Sequence, residues 1–117
     1  MTATHIESLK RFSRDAFERS ASPEGMCADL QKVLLPRLTA ASDRLGEAHA
    51  IVDDLRRAGH VLWSWDESHD FSIWGDDYAN PPLPTRFLIE MRWPSDDEPS
   101  LPVEVAVTFG PWPRADK

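Results

Sequence analysis

The spacing of apolar residues changes once along the chain, close to Gly59. Before this glycine, apolar side chains recur every three or four residues, which is the period of one face of a helix. After it they alternate with polar residues, which is the period of a strand with one buried face. The sequence therefore predicts helices in the first half of the chain and strands in the second half.

The first predicted helix covers residues 3–20, where apolar and charged positions fall on opposite sides. Thr4 is its expected N-cap, and Glu7 three residues later completes a capping box. The polar run that begins at Ser20 is expected to end it.

The second predicted helical region covers residues 23–58. Ser22 is its expected cap, and Pro23 takes the first helical position, where a missing N–H is harmless. Pro36 removes a backbone donor in mid-run, so we expect one long helix kinked there, with two shorter helices as the alternative. Gly59 is the expected C-terminal stop.

Residues 60–78 predict a β-hairpin with an acidic loop of four or five residues. Alternation around Trp63 and Trp65 is interrupted by the polar residues 66–70 and resumes at Phe71. Because this hairpin holds three of the five tryptophans, we expect it to form part of any working surface.

Two further strands are predicted, the first ending near Trp93 and the second covering residues 103–109. The proline-rich stretch 76–84 is expected to be a stiff loop, residues 94–99 an acidic turn, and Gly110 the end of the last strand.

Together these elements predict one α+β domain that covers residues 1–117. Its N-terminal helices pack on one face of a C-terminal four-stranded antiparallel sheet, a meander within residues 61–109. The pattern leaves open whether the proline-rich residues 80–84 cover the other face.

Alternation also predicts which side chains share each face of the sheet. The helices are expected to cover Val61, Trp63, Trp65, Phe71, Ile73, Phe87, Ile89, Met91, Val103, Val105, Val107 and Phe109. The opposite face is expected to carry Leu62, Ser64, Asp66, Ser72, Trp74, Leu88, Glu90, Arg92, Glu104, Ala106 and Thr108. Trp74, Trp93 and Trp112 adjoin loops and are expected to be partly exposed.

Composition limits the function classes. With 117 residues, 41% of them hydrophobic and 28% charged, the chain matches a single globular domain. No apolar run approaches the roughly 20 residues that span a bilayer, and the N-terminus lacks the blocks of a signal peptide. Cys27 is the only cysteine, so an internal disulfide is impossible. We expect a cytoplasmic protein that does not bind membranes.

Negative charge is concentrated in the strand half. Residues 1–59 hold nine basic and nine acidic residues, whereas residues 60–117 hold four basic and eleven acidic residues, so that 4 − 11 = −7 accounts for the whole excess. This surface disfavours nucleic acid and favours a basic protein partner. Keeping a small protein soluble is the alternative explanation of the charge.

Catalytic signals are weak. His69 and Asp70, with Asp66 and Glu67, could form a metal site or an acid/base pair. An enzyme site could be assembled from Asp66, His69, Asp70 and Glu90, but no catalytic motif is present. Cys27 has no histidine nearby in the sequence. We therefore expect no metal or cofactor and no enzymatic activity.

The favoured hypothesis is an acidic protein-binding module, of the kind found in bacterial immunity proteins and antitoxins that inhibit a basic toxin. The alternative is a small-ligand-binding or regulatory accessory domain that uses the exposed sheet face. A homodimer through the sheet face or edge is a further option. The expected partner-binding residues are Asp66, Glu67, His69, Asp70, Trp74, Asp76, Asp77, Leu88 and Glu90.

Overall fold

A computed structural model describes residues 9–67, 69–75 and 85–112. The predicted capping box of Thr4 and Glu7 and the predicted loop 76–84 lie outside these residues. In chain order the elements are α1 (Arg14–Arg19), α2 (Pro23–Ala40), α3 (Arg44–Arg57), β1 (Leu62–Glu67), β2 (Asp70–Gly75), β3 (Thr85–Arg92) and β4 (Glu104–Trp112).

The four strands form one antiparallel sheet in the order β1-β2-β3-β4, and the helices pack against one of its faces. The predicted α+β class and meander topology are confirmed. Of the described helices, none is long and apolar enough to cross a membrane.

The second helical region consists of two helices, which was the alternative to a single kinked one. α2 continues through Pro36, and the chain leaves the helix only at Ala41. Pro36 lies on the exposed side of α2, where water can solvate the carbonyl that loses its donor. Asp43 then starts α3, since its carboxylate accepts a hydrogen bond from the N–H of Gly46 at 3.0 Å.

The first predicted helix is interrupted. Leu9 and Lys10 are helical, a turn follows, and α1 begins only after Ser13. The Ser13 hydroxyl accepts a hydrogen bond from the N–H of Ala16 at 3.1 Å, which makes it the N-cap of a new helix. The interruption separates the buried side chains of Leu9 and Phe12 from those of α1.

Two helix ends follow the sequence prediction. Ser22 accepts from the N–H of Gly25 at 3.2 Å and Pro23 opens α2. Gly59 adopts φ +98° after α3, and its N–H donates to the carbonyl of Arg56 at 3.0 Å. Positive φ is the conformation of a glycine that ends a helix, and it turns the chain toward β1.

The core lies between the helices and the inner face of the sheet. It includes Leu30, Leu34, Leu38, Ile51, Val52 and Leu55 from the helices, and Phe71, Ile73, Phe87, Ile89, Met91, Val105 and Val107 from the sheet. Phe17 of α1 stacks on Phe87 with ring centroids 5.5 Å apart, which ties α1 to the sheet.

Three details of the strands correct the sequence prediction. The first hairpin turns through only two residues, because Glu67 pairs with Asp70 in the ladder. β4 continues past Gly110 to Trp112. Trp93 is only 6% exposed, because it continues the inward alternation of β3 beyond the end of that strand. The side chain of Trp112 lies outside the described part of the chain.

The largest correction concerns β1, whose two faces are the reverse of the prediction. Leu62 is buried, whereas Trp63 is 41% and Trp65 is 63% exposed. The register explains the reversal, because Trp63 lies opposite Trp74 and paired residues point to the same face of a sheet. Leu62 instead lies opposite Gly75, in line with buried Phe87.

Candidate functional site

The sheet face turned away from the helices, here called the outer face, is organised in three rows that run across the strands. The first row is Trp63, Trp74, Leu88 and Thr108; the second is Trp65, Ser72, Glu90 and Ala106; the third is Glu67, Asp70, Arg92 and Glu104. Aromatic side chains therefore occupy one end of the face and ionised ones the other.

The aromatic end lies at β1 and β2. Trp63 and Trp65 are exposed, and Trp74 and Leu88 are half-buried beside them. The indole N–H of Trp65 donates to a carboxylate oxygen of Glu67 at 3.2 Å. This bond fixes the orientation of an aromatic ring that is otherwise largely in water. Exposed tryptophans grouped in this way are typical of contact surfaces.

The third row carries most of the charge of the outer face. Arg92 pairs with Asp70, with Nε and Oδ1 3.2 Å apart. Among the described residues, Glu90 and Glu104 have no ion-pair partner. With Glu67, the outer face holds four carboxylates and one guanidinium, a sum of −4 + 1 = −3.

A shallow concavity of about 840 Å³ lies over the second and third rows. Its lining includes Trp65 and Glu90 of the outer face, together with Leu35 of α2 and Val103. Both polar and apolar groups therefore face the same space, which suits the side chains of a protein partner or a small polar molecule.

The nine predicted site residues fall into four groups, one of which is Asp66 alone. Five share the outer face: Glu67, Asp70, Trp74, Leu88 and Glu90. His69 lies in the turn between β1 and β2 and is half-buried. Asp76 and Asp77 lie outside the described residues.

Asp66 corrects the prediction, because it points to the helix side of the sheet. Its carboxylate lies 3.3 Å from Nε2 of His49 on α3. The reversal of β1 that exposes Trp65 necessarily turns Asp66 inward, since neighbouring residues of a strand point to opposite faces.

The sequence prediction missed Trp63 and Trp65 as members of the outer face, and it placed Glu104 on that face without naming it as a partner-binding residue. Their alternation with Leu62, Ser64 and Asp66, together with their size, assigns Trp63 and Trp65 to the core. Their pairing with Trp74 and Ser72 is the signal that distinguishes them. Predicting this pairing requires the register of the hairpin, which the composition of one strand does not supply.

The arrangement does not assemble a catalytic centre from the candidate residues. Asp66 lies on the opposite face of the sheet from Asp70 and Glu90. Cys27 is buried, and this desolvation, with a smaller effect of Glu24, raises the pKa of its thiol to about 11. The thiol is therefore protonated at neutral pH. Within the described part of the chain, no three potential ligands are grouped for a metal ion.

Comparison with protein-family models, with curated proteins and with solved structures finds no match to this chain. The function is therefore argued from the surface itself.

Proposed function

We propose that this protein is a non-catalytic binding module whose outer face holds a basic protein. The proposal rests on one observation: exposed tryptophans and carboxylates lie next to each other on one face of the sheet. Trp65 is 63% exposed, and it lies in the same row as Glu90 and next to the row of Glu67.

Each end of the face has a separate physical role in this proposal. Tryptophans supply large apolar contact areas and are enriched among residues that dominate binding energy. The surrounding carboxylates attract a cationic surface and select the orientation in which it docks. A cation over an indole gains further attraction from the ring electrons.

The partner we propose is a toxic enzyme with a basic surface, which the module inhibits by covering it, as bacterial immunity proteins and antitoxins do. Binding by coverage requires a rigid, charged face and no chemistry of its own. The net charge of −7 supports such a partner through fast, electrostatically steered association.

Affinity capture with charge variants tests the proposal. The wild-type chain and the variant Glu90→Lys/Glu104→Lys serve as baits in a lysate of the native host, followed by quantitative mass spectrometry. We expect a basic protein on the wild-type bait and at least about tenfold less of it on the variant, because two attractive charges become repulsive. Co-expression of the chain should then relieve growth inhibition by the captured protein.

The matched control is Asp53→Lys/Glu24→Lys, which makes the same change in charge at exposed positions of α3 and α2. This control should capture the basic protein as well as the wild type does. Equal loss with both double variants would mean that net charge alone drives capture, and the outer face would lose its assigned role.

The concavity of about 840 Å³ favours a second candidate function, the binding of a small polar ligand. The two candidates differ in what stays bound during gentle purification from the host. Native mass spectrometry should show a protein complex for the first function. A small-molecule adduct that disappears in the Trp65→Ala variant would favour the second.

A further inference from the structure

A helix side chain bonds to each edge of the sheet, at a backbone N–H on β4 and at the carbonyl of Leu62 on β1. On β4, the N–H of Val107 donates to Oε1 of Gln31 on α2 at 3.2 Å, so a helix side chain occupies that edge. On β1, no strand among the described residues pairs with the side away from β2. Strand edges of this kind are templates for pairing with another chain.

Hydrogen bonding identifies which residues of β1 face this open edge. The N–H of Trp93 donates to the carbonyl of His69 at 3.2 Å, which makes them a bonded pair between β2 and β3. Because bonding direction alternates along a strand, Asp70 and every second residue after it bond toward β1. Their partners on β1 form backbone hydrogen bonds toward β2. The backbone groups of Leu62, Ser64 and Asp66 therefore face the edge of the sheet, away from β2.

An independent contact agrees with this assignment. The carbonyl of Leu62 accepts a hydrogen bond from Nη2 of Arg56 on α3 at 3.4 Å. Arg56 does not belong to the sheet, so this carbonyl points away from β2. Ser64, two residues further on, has the same direction and is exposed.

We propose that β1 pairs with β1 of a second copy of this chain, antiparallel and centred on Ser64, to form a continuous eight-stranded sheet. This inference does not rest on the proposed function, although Trp65 belongs to both proposed surfaces. The two-fold axis passes between the two Ser64 residues, which exchange their backbone hydrogen bonds. The outward-facing Leu62 of each copy then pairs with the outward-facing Asp66 of the other.

The same register accounts for the exposed tryptophans of β1. Trp63 of each copy lies opposite Trp65 of the other, at a non-bonded position, where side chains on one face approach most closely. Four indoles thus meet on the outer face around the axis. Surface that is exposed in one chain becomes an aromatic cluster between two chains.

Charge favours this register as well. Asp66 of one copy lies beside Leu62 of the other, whose carbonyl is bound by Arg56. The carboxylate therefore approaches a guanidinium across the interface. The two Asp66 residues are about 14 Å apart along the paired strands, beyond the screening length of about 8 Å in physiological salt. An inward-facing charge on an edge strand generally blocks pairing, and in this register Asp66, whose carboxylate lies 3.3 Å from Nε2 of His49 in its own chain, also approaches a guanidinium of the other copy.

Sedimentation velocity of the full chain tests the proposal, across about 1–500 μM because small interfaces bind weakly. We expect the 13.3 kDa monomer to convert to a species of twice that mass as concentration rises. Ser64→Pro should raise the dimer Kd about tenfold or more, since it removes the central donor from both copies. Ser64→Ala keeps the N–H and should leave the Kd within about twofold.

A charge exchange between two variants gives a result that misfolding of either variant could not produce. Alone, Arg56→Glu places two carboxylates together at each contact, and Asp66→Arg places two guanidiniums together, so each variant should remain monomeric. Mixed in equal amounts, they should form a heterodimer, because both contacts are then between opposite charges. A wild-type chain that stays monomeric throughout, a dimer unaffected by Ser64→Pro, or a mixture that stays monomeric would each overturn the proposal.

Discussion

Tryptophan has two different roles in this protein, which burial distinguishes. Trp93 is 6% exposed and continues the inward-facing series of β3, so its ring is part of the core. Trp65 is 63% exposed, and its indole N–H bonds to a surface carboxylate, that of Glu67. One residue type therefore stabilises the fold at position 93 and remains available for contact at position 65.

Replacing each tryptophan by alanine should separate these roles. Trp93→Ala is expected to lower the free energy of unfolding by about 3–5 kcal/mol, because it leaves a large cavity. Trp65→Ala should change it by no more than about 0.5 kcal/mol, as surface substitutions do. Urea denaturation followed by far-ultraviolet circular dichroism measures both without relying on tryptophan fluorescence. Equal losses would place Trp65 in the core and remove it from the binding surface.

Among the elements, β1 limits what can be predicted from the sequence. The helical first half of the chain, the four strands and their order follow from periodicity, but the breaks in the helices at residues 11–13 and 41–43 do not. The strands are predictable because each of β2, β3 and β4 has one face against the core. β1 has polar Ser64 and Asp66 on its helix side and large Trp63 and Trp65 on its outer side. Alternation identifies two faces but assigns the apolar one to the core, which fails for an edge strand whose apolar residues face outward.

The candidate site shares this limit. Glu67, Asp70 and Glu90 were predictable as surface residues because acidic side chains remain in water. Their grouping with Trp65 depends on the pairing of Glu67 with Asp70, which sets the register of the whole hairpin. A four- or five-residue loop would have aligned different residues, so the site could not be assembled from local patterns.

α2 and α3 are joined by a buried ionic cluster centred on Arg37. Its Nη2 lies 2.8 Å from Oδ2 of Asp54, and both side chains are 4% exposed. The contact is ionic, since its angle falls outside that of a hydrogen bond, and Nη1 of Arg37 is buried without a partner. Nε of Arg37 also bonds to Glu47. Because the hydrogen bonding of these buried charges is incomplete, we expect the cluster to offset little more than the cost of removing its charges from water.

Breaking this cluster from one side should therefore be costly, and removing both partners should be tolerated. Arg37→Met is expected to reduce the free energy of unfolding by about 3 kcal/mol or more, because buried Asp54 then keeps only its longer contact with Arg57, at 3.8 Å. Arg37→Met/Asp54→Leu should recover at least half of that loss in the same urea titration.

The control is the pair Arg19 and Asp15 on α1, which has the same 2.8 Å separation but is 73% exposed at both side chains. Breaking that pair should cost at most about 0.5 kcal/mol. If Arg37→Met cost no more than Arg19→Met, burial would not control the strength of these ion pairs.

At the scale of the whole molecule, charge is separated along the chain as clearly as secondary structure is. The helical residues 1–59 are electrically balanced, and the strand half carries the full excess of −7. Since the helices cover one face of the sheet, the outer face belongs entirely to the acidic half. A cationic partner is therefore attracted toward the face that we propose it binds.

Association with a basic partner should accordingly depend strongly on salt. Between about 20 and 500 mM NaCl we expect the association rate constant to fall at least about tenfold, because exposed charges are screened over shorter distances as salt rises. The dissociation rate constant should change less, since it depends on contacts already made. Surface plasmon resonance with the captured partner measures both rates.

Glu90→Lys/Glu104→Lys should flatten the salt dependence more than Asp53→Lys/Glu24→Lys does, because the first pair acts at the docking face and the second only through net charge. An association rate that is flat in salt would refute electrostatic steering, and equal flattening by the two double variants would show that the attraction is not directed to the outer face.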